Sequence, residues 1–217
     1  MMKQLFKQNL VCAIMRNVPL NLTLKYASAA YEGGIRMFEV AVNSDNAYAQ
    51  IRSLSKEFGE DIKIGAGTVI NPIRCEKSIE AGAQFFLTPS TNKETIAFCL
   101  KHNIPVLPGV MTPTDIDICL SYGIHTMKLF PAGDLPRNYI KSVKGPFDGT
   151  DYIAVGGVSM ENVLEFLGNG YIGVGIGSNL IPNDLMDTGN WKKASKNIEV
   201  MMNQIKEFSF KELEVTL

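Results

Sequence analysis

Short apolar, β-branched runs recur along the whole chain, at Leu10–Met15, Ile35–Val42, Ile62–Ala66, Phe85–Thr88, Pro105–Leu107, Thr126–Phe130, Tyr152–Val155 and Ile172–Ile176. Continuous apolar runs of this length predict parallel strands buried on both faces. Between them lie amphipathic segments with helical spacing, for example Leu24, Ala27, Ala30 and Tyr31, then Ile51, Leu54, Ser55 and Phe58. Capping residues open several helices: Ser44 before Asp45, Asn71 before Pro72, Thr112 before Pro113, and Ser159 before Met160, Glu161 and Asn162. Glycines close others, at Gly33-Gly34, Gly82, Gly123 and Gly168.

Strand and helix alternating eight times predict an α/β protein, a single (β/α)8 TIM barrel spanning residues 1–217. A doubly wound open sheet is the rival, but it usually needs fewer strands. No Pro/Ser/Gly-rich linker or shift of composition divides the chain.

Composition narrows the class without naming a function. The 217 residues are 46% hydrophobic and 20% charged, enough for a full core. A net charge of -1 argues against a nucleic-acid partner. Cys12, Cys75, Cys99 and Cys119 form no ligand spacing with one another or with His102 and His125, which predicts reduced thiols, a cytoplasmic location and no metal. The first residues are weakly basic, yet the apolar stretch Leu10 to Met15 is short and runs into Arg16. Neither a signal peptide nor a membrane span is expected.

Lys128 interrupts the run from Thr126 to Phe130, and Glu39 interrupts the run from Ile35 to Val42. Burial strips an ammonium of its hydration and favours the neutral, nucleophilic amine. With a carboxylate nearby for proton transfer, the pair suggests Schiff-base chemistry. The bland alternatives are a lysine snorkelling outward and a structural Glu39 paired with Arg36 or Arg16.

In a barrel the carboxyl ends of the strands carry function. Read in order, they hold Arg16, Glu39 with Asn43, Gly65-Ala66-Gly67-Thr68, Thr88-Pro89-Ser90, Pro108-Gly109, Lys128 to Pro131, Gly156-Gly157 and Gly177-Ser178. His125 lies at the opposite end of its strand. The glycines at 65 and 67 either form a tight turn or bring backbone N–H groups and the Thr68 hydroxyl to a carboxylate. Gly156-Gly157 and Gly177-Ser178 follow the seventh and eighth predicted strands, where barrels commonly hold a phosphate, with Ser159 and Asn179 as further donors. Close strand-to-helix packing is the other use of such glycines. Arg16 either binds a substrate carboxylate or neutralises Glu39.

As a set these positions resemble the class I aldolases that cleave 2-keto-3-deoxy-6-phosphogluconate (KDPG) and 4-hydroxy-2-oxoglutarate. The resemblance runs from Arg16 to about Leu180, through Phe38-Glu39-Val40, Ile64-Gly65-Ala66-Gly67-Thr68-Val69, Ala81-Gly82-Ala83-Gln84-Phe85, Pro108-Gly109, Lys128-Leu129-Phe130-Pro131-Ala132 and Gly156-Gly157-Val158-Ser159. It implies that Lys128 forms the imine, that Glu39 is the general acid/base, and that Thr68 binds the pyruvyl carboxylate. It further implies that Pro89 and Phe130 line the pocket, and that Gly157, Gly177 and Ser178 belong to the phosphate site, beside Gly156. The family needs no cofactor or metal and usually forms homotrimers on small phosphorylated keto-sugar acids.

The chain departs from the gluconate-type pattern in two places. That pattern has Glu-Val-Thr-Leu-Arg-Thr, where this chain has Glu39-Val40-Ala41-Val42-Asn43-Ser44, and a threonine where Val155 stands. Both departures, together with Arg16, look like the subgroup acting on the 6-phosphogalactonate epimer. A threonine hydroxyl can bond one C4 epimer and a valine cannot. The expected reaction is retro-aldol cleavage to pyruvate and glyceraldehyde 3-phosphate. Its rivals are an aldolase for an unphosphorylated 4-hydroxy-2-oxo acid, an isomerase or epimerase barrel, and a non-enzymatic sugar-phosphate-binding barrel. The tail from Phe208 to Leu217 reads as a helix extension or a subunit contact.

Overall fold

The computed structural model describes residues 1–215. Its strands are all parallel: β1 Val11–Met15, β2 Met37–Ala41, β3 Lys63–Gly67, β4 Phe85–Leu87, β5 Val106–Leu107, β6 Gly109–Val110, β7 Thr126–Leu129, β8 Asp151–Val155 and β9 Gly173–Ile176. Their order is β5-β4-β3-β2-β1-β9-β8-β7-β6. The expected fifth strand is thus two pieces around Pro108, which has no N–H for a ladder. β5 pairs with β4 and β6 with β7, while the Lys128 N–H donates to the Pro108 carbonyl at 2.8 Å. One interrupted strand therefore closes the barrel.

Among the described residues the helices are α1 Met2–Gln8, α2 Thr23–Glu32, α3 Ala47–Phe58, α4 Pro72–Glu80, α5 Lys93–Lys101, α6 Pro113–Ser121, α7 Tyr139–Lys144, α8 Val163–Gly168, α9 Asn183–Asp187 and α10 Trp191–Val215. Asn71 and Thr112 cap as expected: the Asn71 side chain accepts from the Arg74 N–H, and Thr112 and Asp115 form a reciprocal capping box. Ser44 is not a cap. Its hydroxyl accepts from the Asn17 N–H at 3.0 Å, tying the loop after β1 to the loop after β2. Ser159 precedes a turn and α8 starts at Val163; Gly168 is helical, and Gly170 supplies the left-handed turn that follows. α10 crosses α2 where Gly33 leaves no room for a side chain against Ile198. The expected tail extension is helical through Val215, and residues 216–217 lie outside the described residues.

Strand alternation sorts two apolar layers. Val11, Ala13, Phe38, Val40, Met127 and Leu129 face the helices. Cys12, Ile14, Met37, Phe85, Leu87, Leu107, Ile153 and Val155 fill the barrel, joined by Met2 and Phe6 of α1. α1 is absent from the strand-and-helix reading of the sequence. It closes the amino-terminal end of the barrel as a plug, fastened by Lys3 to Asp151 at 2.8 Å. Phe6 is fully buried, and Gly173 yields the space its ring occupies. Phe6→Ala is expected to lower unfolding stability by about 3–5 kcal/mol, read from denaturant midpoints at unchanged slope.

Candidate active site

The inward alternation carries Glu39 and Lys128 into the barrel above that apolar floor. Glu39 on β2 lies beside Ile14 of β1 and Gly65 of β3 in register; Lys128 on β7 lies beside Gly109 and Ile153. Glu39 is 1% exposed and Lys128 5%. The lysine does not snorkel: its Nζ stands 4.5 Å from the centre of the Phe130 ring. Neither structural partner foreseen for Glu39 is engaged. Arg36 donates to the carbonyls of Tyr31 and Ile35 and stacks over the Tyr31 ring. Arg16 donates to Asn43 Oδ1 at 3.0 Å and Thr68 Oγ1 at 3.2 Å. Glu39 Oε2 remains buried without a hydrogen-bond partner.

This environment sets the protonation chemistry. Burial pushes the Glu39 carboxyl above its ordinary range, opposed by the positive charges of Lys128 and Arg16. Burial pushes the Lys128 amine below its ordinary range; Glu39 opposes that shift and Arg16 reinforces it. Beneath them Cys12 is a fully buried thiol held well above its ordinary range, first by burial and then by the Glu39 charge. The two shifts bring the proton affinities of the amine and the carboxyl closer together, which suits the exchange of a proton between them.

A cavity of about 440 Å³ opens over the pair. It joins Arg16, Glu39, Lys128, Phe130, Gly156, Gly157, Gly177 and Ser178 of the sequence-derived set. Thr68 and Pro89 are not in its lining. Thr68 instead anchors Arg16 at the mouth, in a left-handed conformation (φ 59°) with its carbonyl held by Arg74 Nη1 at 2.8 Å. Pro89 lies where the interrupted strand closes the barrel, against Gly109.

The two glycine loops differ. Gly156 and Gly157 are left-handed (φ 88° and 73°) and crowded: a side chain at 156 would press on Pro131, and one at 157 on Gly133. Close packing therefore applies to both. Gly177 has nothing within reach of a side chain and faces open space. The glycines of β3 lie within the strand rather than in a turn. Gly65 makes room for the Phe85 ring and Gly67 for the Glu39 carboxylate.

The sequence reading missed Asn17, Tyr26, Asn183 and Met186 in the cavity wall. Asn17 and Val18 ride on the loop after β1, which the buried Gln50 side chain fixes by donating to the Val18 carbonyl at 2.6 Å. Asn183 and Met186 come from α9, a helix carrying no motif. Among the described residues no cluster of His, Cys, Asp and Glu could hold a metal, and no helix is long and apolar enough to cross a membrane.

Arg16 is the exposed cation at the mouth, pre-oriented by two hydrogen bonds. If it meets a ligand carboxylate, Arg16→Met is expected to reduce kcat/KM about 10–100-fold, mostly through KM, as for loss of a charge-assisted hydrogen bond. Steady-state kinetics on the purified variant check this.

The chain resembles known proteins in both sequence and fold. The family model "Aldolase: KDPG and KHG aldolase" matches residues 2–197. The chain is 32% identical over 172 residues to the KHG/KDPG aldolase of Escherichia coli (strain K12), covering 78% of this chain and 80% of that protein. It is 31% identical over 170 residues to the 2-dehydro-3-deoxy-6-phosphogalactonate aldolase of the same organism, covering 77% and 82%. A crystal structure of KDPG aldolase from Legionella pneumophila, with pyruvate captured at low pH as a covalent carbinolamine intermediate, aligns with a TM-score of 0.85 at 28% identity, over 93% of this chain and 98% of that one.

Proposed function

The chain belongs to the KDPG and KHG aldolase family, and from that premise we propose that it is a class I aldolase cleaving a 2-keto-3-deoxy-6-phospho-sugar acid to pyruvate and glyceraldehyde 3-phosphate. The observation that carries the reading is the pairing of buried Lys128 with buried, unpartnered Glu39 in one cavity with Gly157, Gly177 and Ser178.

Neutral Lys128 attacks the C2 carbonyl of the substrate. Glu39 donates a proton as the carbinolamine loses water, leaving a protonated imine and a Glu39 carboxylate. That imine accepts the electron pair of the C3–C4 bond as a base removes the C4 hydroxyl proton, releasing the aldehyde and an enamine. Protonation of the enamine at C3 and hydrolysis return pyruvate and free Lys128. Arg16 orients a carboxylate at the mouth. Backbone amides around Gly157, Gly177 and Ser178 hold the phosphate, supplying binding energy remote from the bond that breaks. The chain acts in the cytoplasm, and the exposed apolar side chains Ile70, Ile73, Leu100 and Met111, on neighbouring βα units, suit burial in a homotrimer.

Val155 in the cavity wall and the Arg16–Asn43 bond favour the 6-phosphogalactonate epimer. The test is pyruvate release from the 6-phosphogluconate and 6-phosphogalactonate keto-acids, and from 4-hydroxy-2-oxoglutarate. Turnover of a phosphorylated epimer at least about tenfold faster than the unphosphorylated acid is expected. Equal turnover of the unphosphorylated acid removes the phosphate from the reading. Binding without pyruvate release from any of the three removes the aldolase.

A further inference from the structure

We propose that Gly67 is a positioning residue for the aldol chemistry: its missing side chain is the socket that holds the Glu39 carboxylate toward Lys128. Gly67 ends β3 and lies in register with Ala41, two residues beyond Glu39 on β2. A Cβ on Gly67 would overlap Glu39 Oε1, with the rest of the carboxyl group next in its way. Glu39 and Gly67 therefore share one volume, and only glycine leaves it free. φ at Gly67 lies outside the left-handed region, so the backbone itself does not demand glycine there.

The socket matters because, among the described residues, no hydrogen bond or ion pair fixes the carboxylate. Its Oε2 is buried there without a hydrogen-bond donor, and neither oxygen enters an ion pair among those residues. A glutamate so free of polar partners keeps its orientation through shape alone: the pleat of β2 sets its direction, and the notch at Gly67 sets its end point. A methyl group in the notch must push the carboxylate away by more than an atomic radius. Misplacement of a catalytic group by about 1 Å can cost about 100-fold in rate. Lys128 and the loops at Gly157 and Gly177 are untouched, so substrate binding is spared.

The inference rests on Glu39 acting as the proton carrier for imine formation, and the experiment separates the two claims. The rate of imine formation with pyruvate is read by timed borohydride trapping in wild type, Glu39→Gln, Gly67→Ala, Glu39→Asp and the Gly67→Ala/Glu39→Asp double variant. Gly67→Ala is expected to slow imine formation and kcat about 100-fold, with KM within about threefold of wild type. Glu39→Asp draws the carboxylate out of the notch. In that background Gly67→Ala is expected to change the rate less than about threefold, against about 100-fold in wild type.

The aspartate pair decides the matter even if Gly67→Ala alone does not fold, because the shorter side chain removes the overlap. A tenfold or larger further loss in the double variant, or Gly67→Ala at wild-type rate, overturns the positioning role. A KM rise matching the kcat loss does the same. If Glu39→Gln forms the imine at wild-type rate, the assignment of Glu39 fails instead.

Discussion

Lys128→Met loses aldol cleavage by about 10⁴-fold or more and gains thermal stability. The first effect follows from removing the nucleophile, without which the cavity can bind but has no electron sink for the C3–C4 bond. The second follows from burial. Lys128 is 5% exposed and makes no ion pair with Glu39, so its charged form is desolvated with little return. Methionine fills a similar volume without a charge. The gain is about 1–2 kcal/mol near neutral pH, or about 2–8 °C in Tm for a chain of this length.

The pH dependence gives the sign. Because burial depresses the folded-state pKa, the unfolded chain binds more protons between that value and the ordinary lysine range. Wild-type stability therefore rises with pH through this window. The advantage of Lys128→Met is largest below the window and fades as pH approaches the ordinary lysine range. Calorimetry of both proteins at several pH values checks it; a variant less stable than wild type at pH 7 contradicts the account of Lys128 as an unpaired buried charge.

Glu39→Gln keeps the shape of the side chain and removes its proton chemistry. kcat is expected to fall about 10²–10⁴-fold with little change in KM, the usual range for a general acid/base. The rate in wild type rises as pH climbs through the depressed Lys128 pKa, because only the free amine attacks. Glu39 holds that pKa up by its negative charge. With glutamine in place, the limb should move to lower pH. A pH–rate profile measures both changes. A limb that moves to higher pH would mean that Glu39 is not acting on Lys128 through its charge.

Stability responds oppositely at the two groups. The raised folded-state pKa of Glu39 makes the folded protein hold the extra proton between the ordinary glutamate range and the raised value. Stability from this group is lost as pH rises through that window. One buried acid and one buried base thus each resist the charge that catalysis needs, which is the usual conflict between a site and the fold around it.

Much of this was legible in the chain because strands and charges follow local rules. The apolar runs predicted the strands within a residue or two of their observed limits, apart from the interrupted fifth, which runs on to Val110, and a charge inside such a run has to face either solvent or a site. That reasoning located Lys128 and Glu39 without knowledge of their neighbours. Pro108 was visible too, yet its consequence was not: whether a proline breaks or merely ends a strand depends on which strands pair on each side. The α1 plug was missed because Met2 and Phe6 form no long periodic pattern, and their burial comes from the open end of the barrel.

The glycines show the limit most clearly. Gly65 and Gly67 look in sequence like a turn or an anion cradle, and only the register of β2 on β3 reveals them as vacancies for Phe85 and Glu39. Thr68 and Arg16 were identified separately; that one anchors the other required the loops after β1 and β3 to be placed side by side. Long-range partners of this kind leave no mark on local spacing.

The central claim is that Lys128 forms an imine with the keto acid. Borohydride reduction of the protein with saturating pyruvate, followed by mass spectrometry of the peptide carrying Lys128, tests it directly. A reduced pyruvyl adduct on Lys128, absent in Lys128→Met, is the expected result. A folded wild-type protein that gives no adduct, or an adduct on another lysine, would contradict the account.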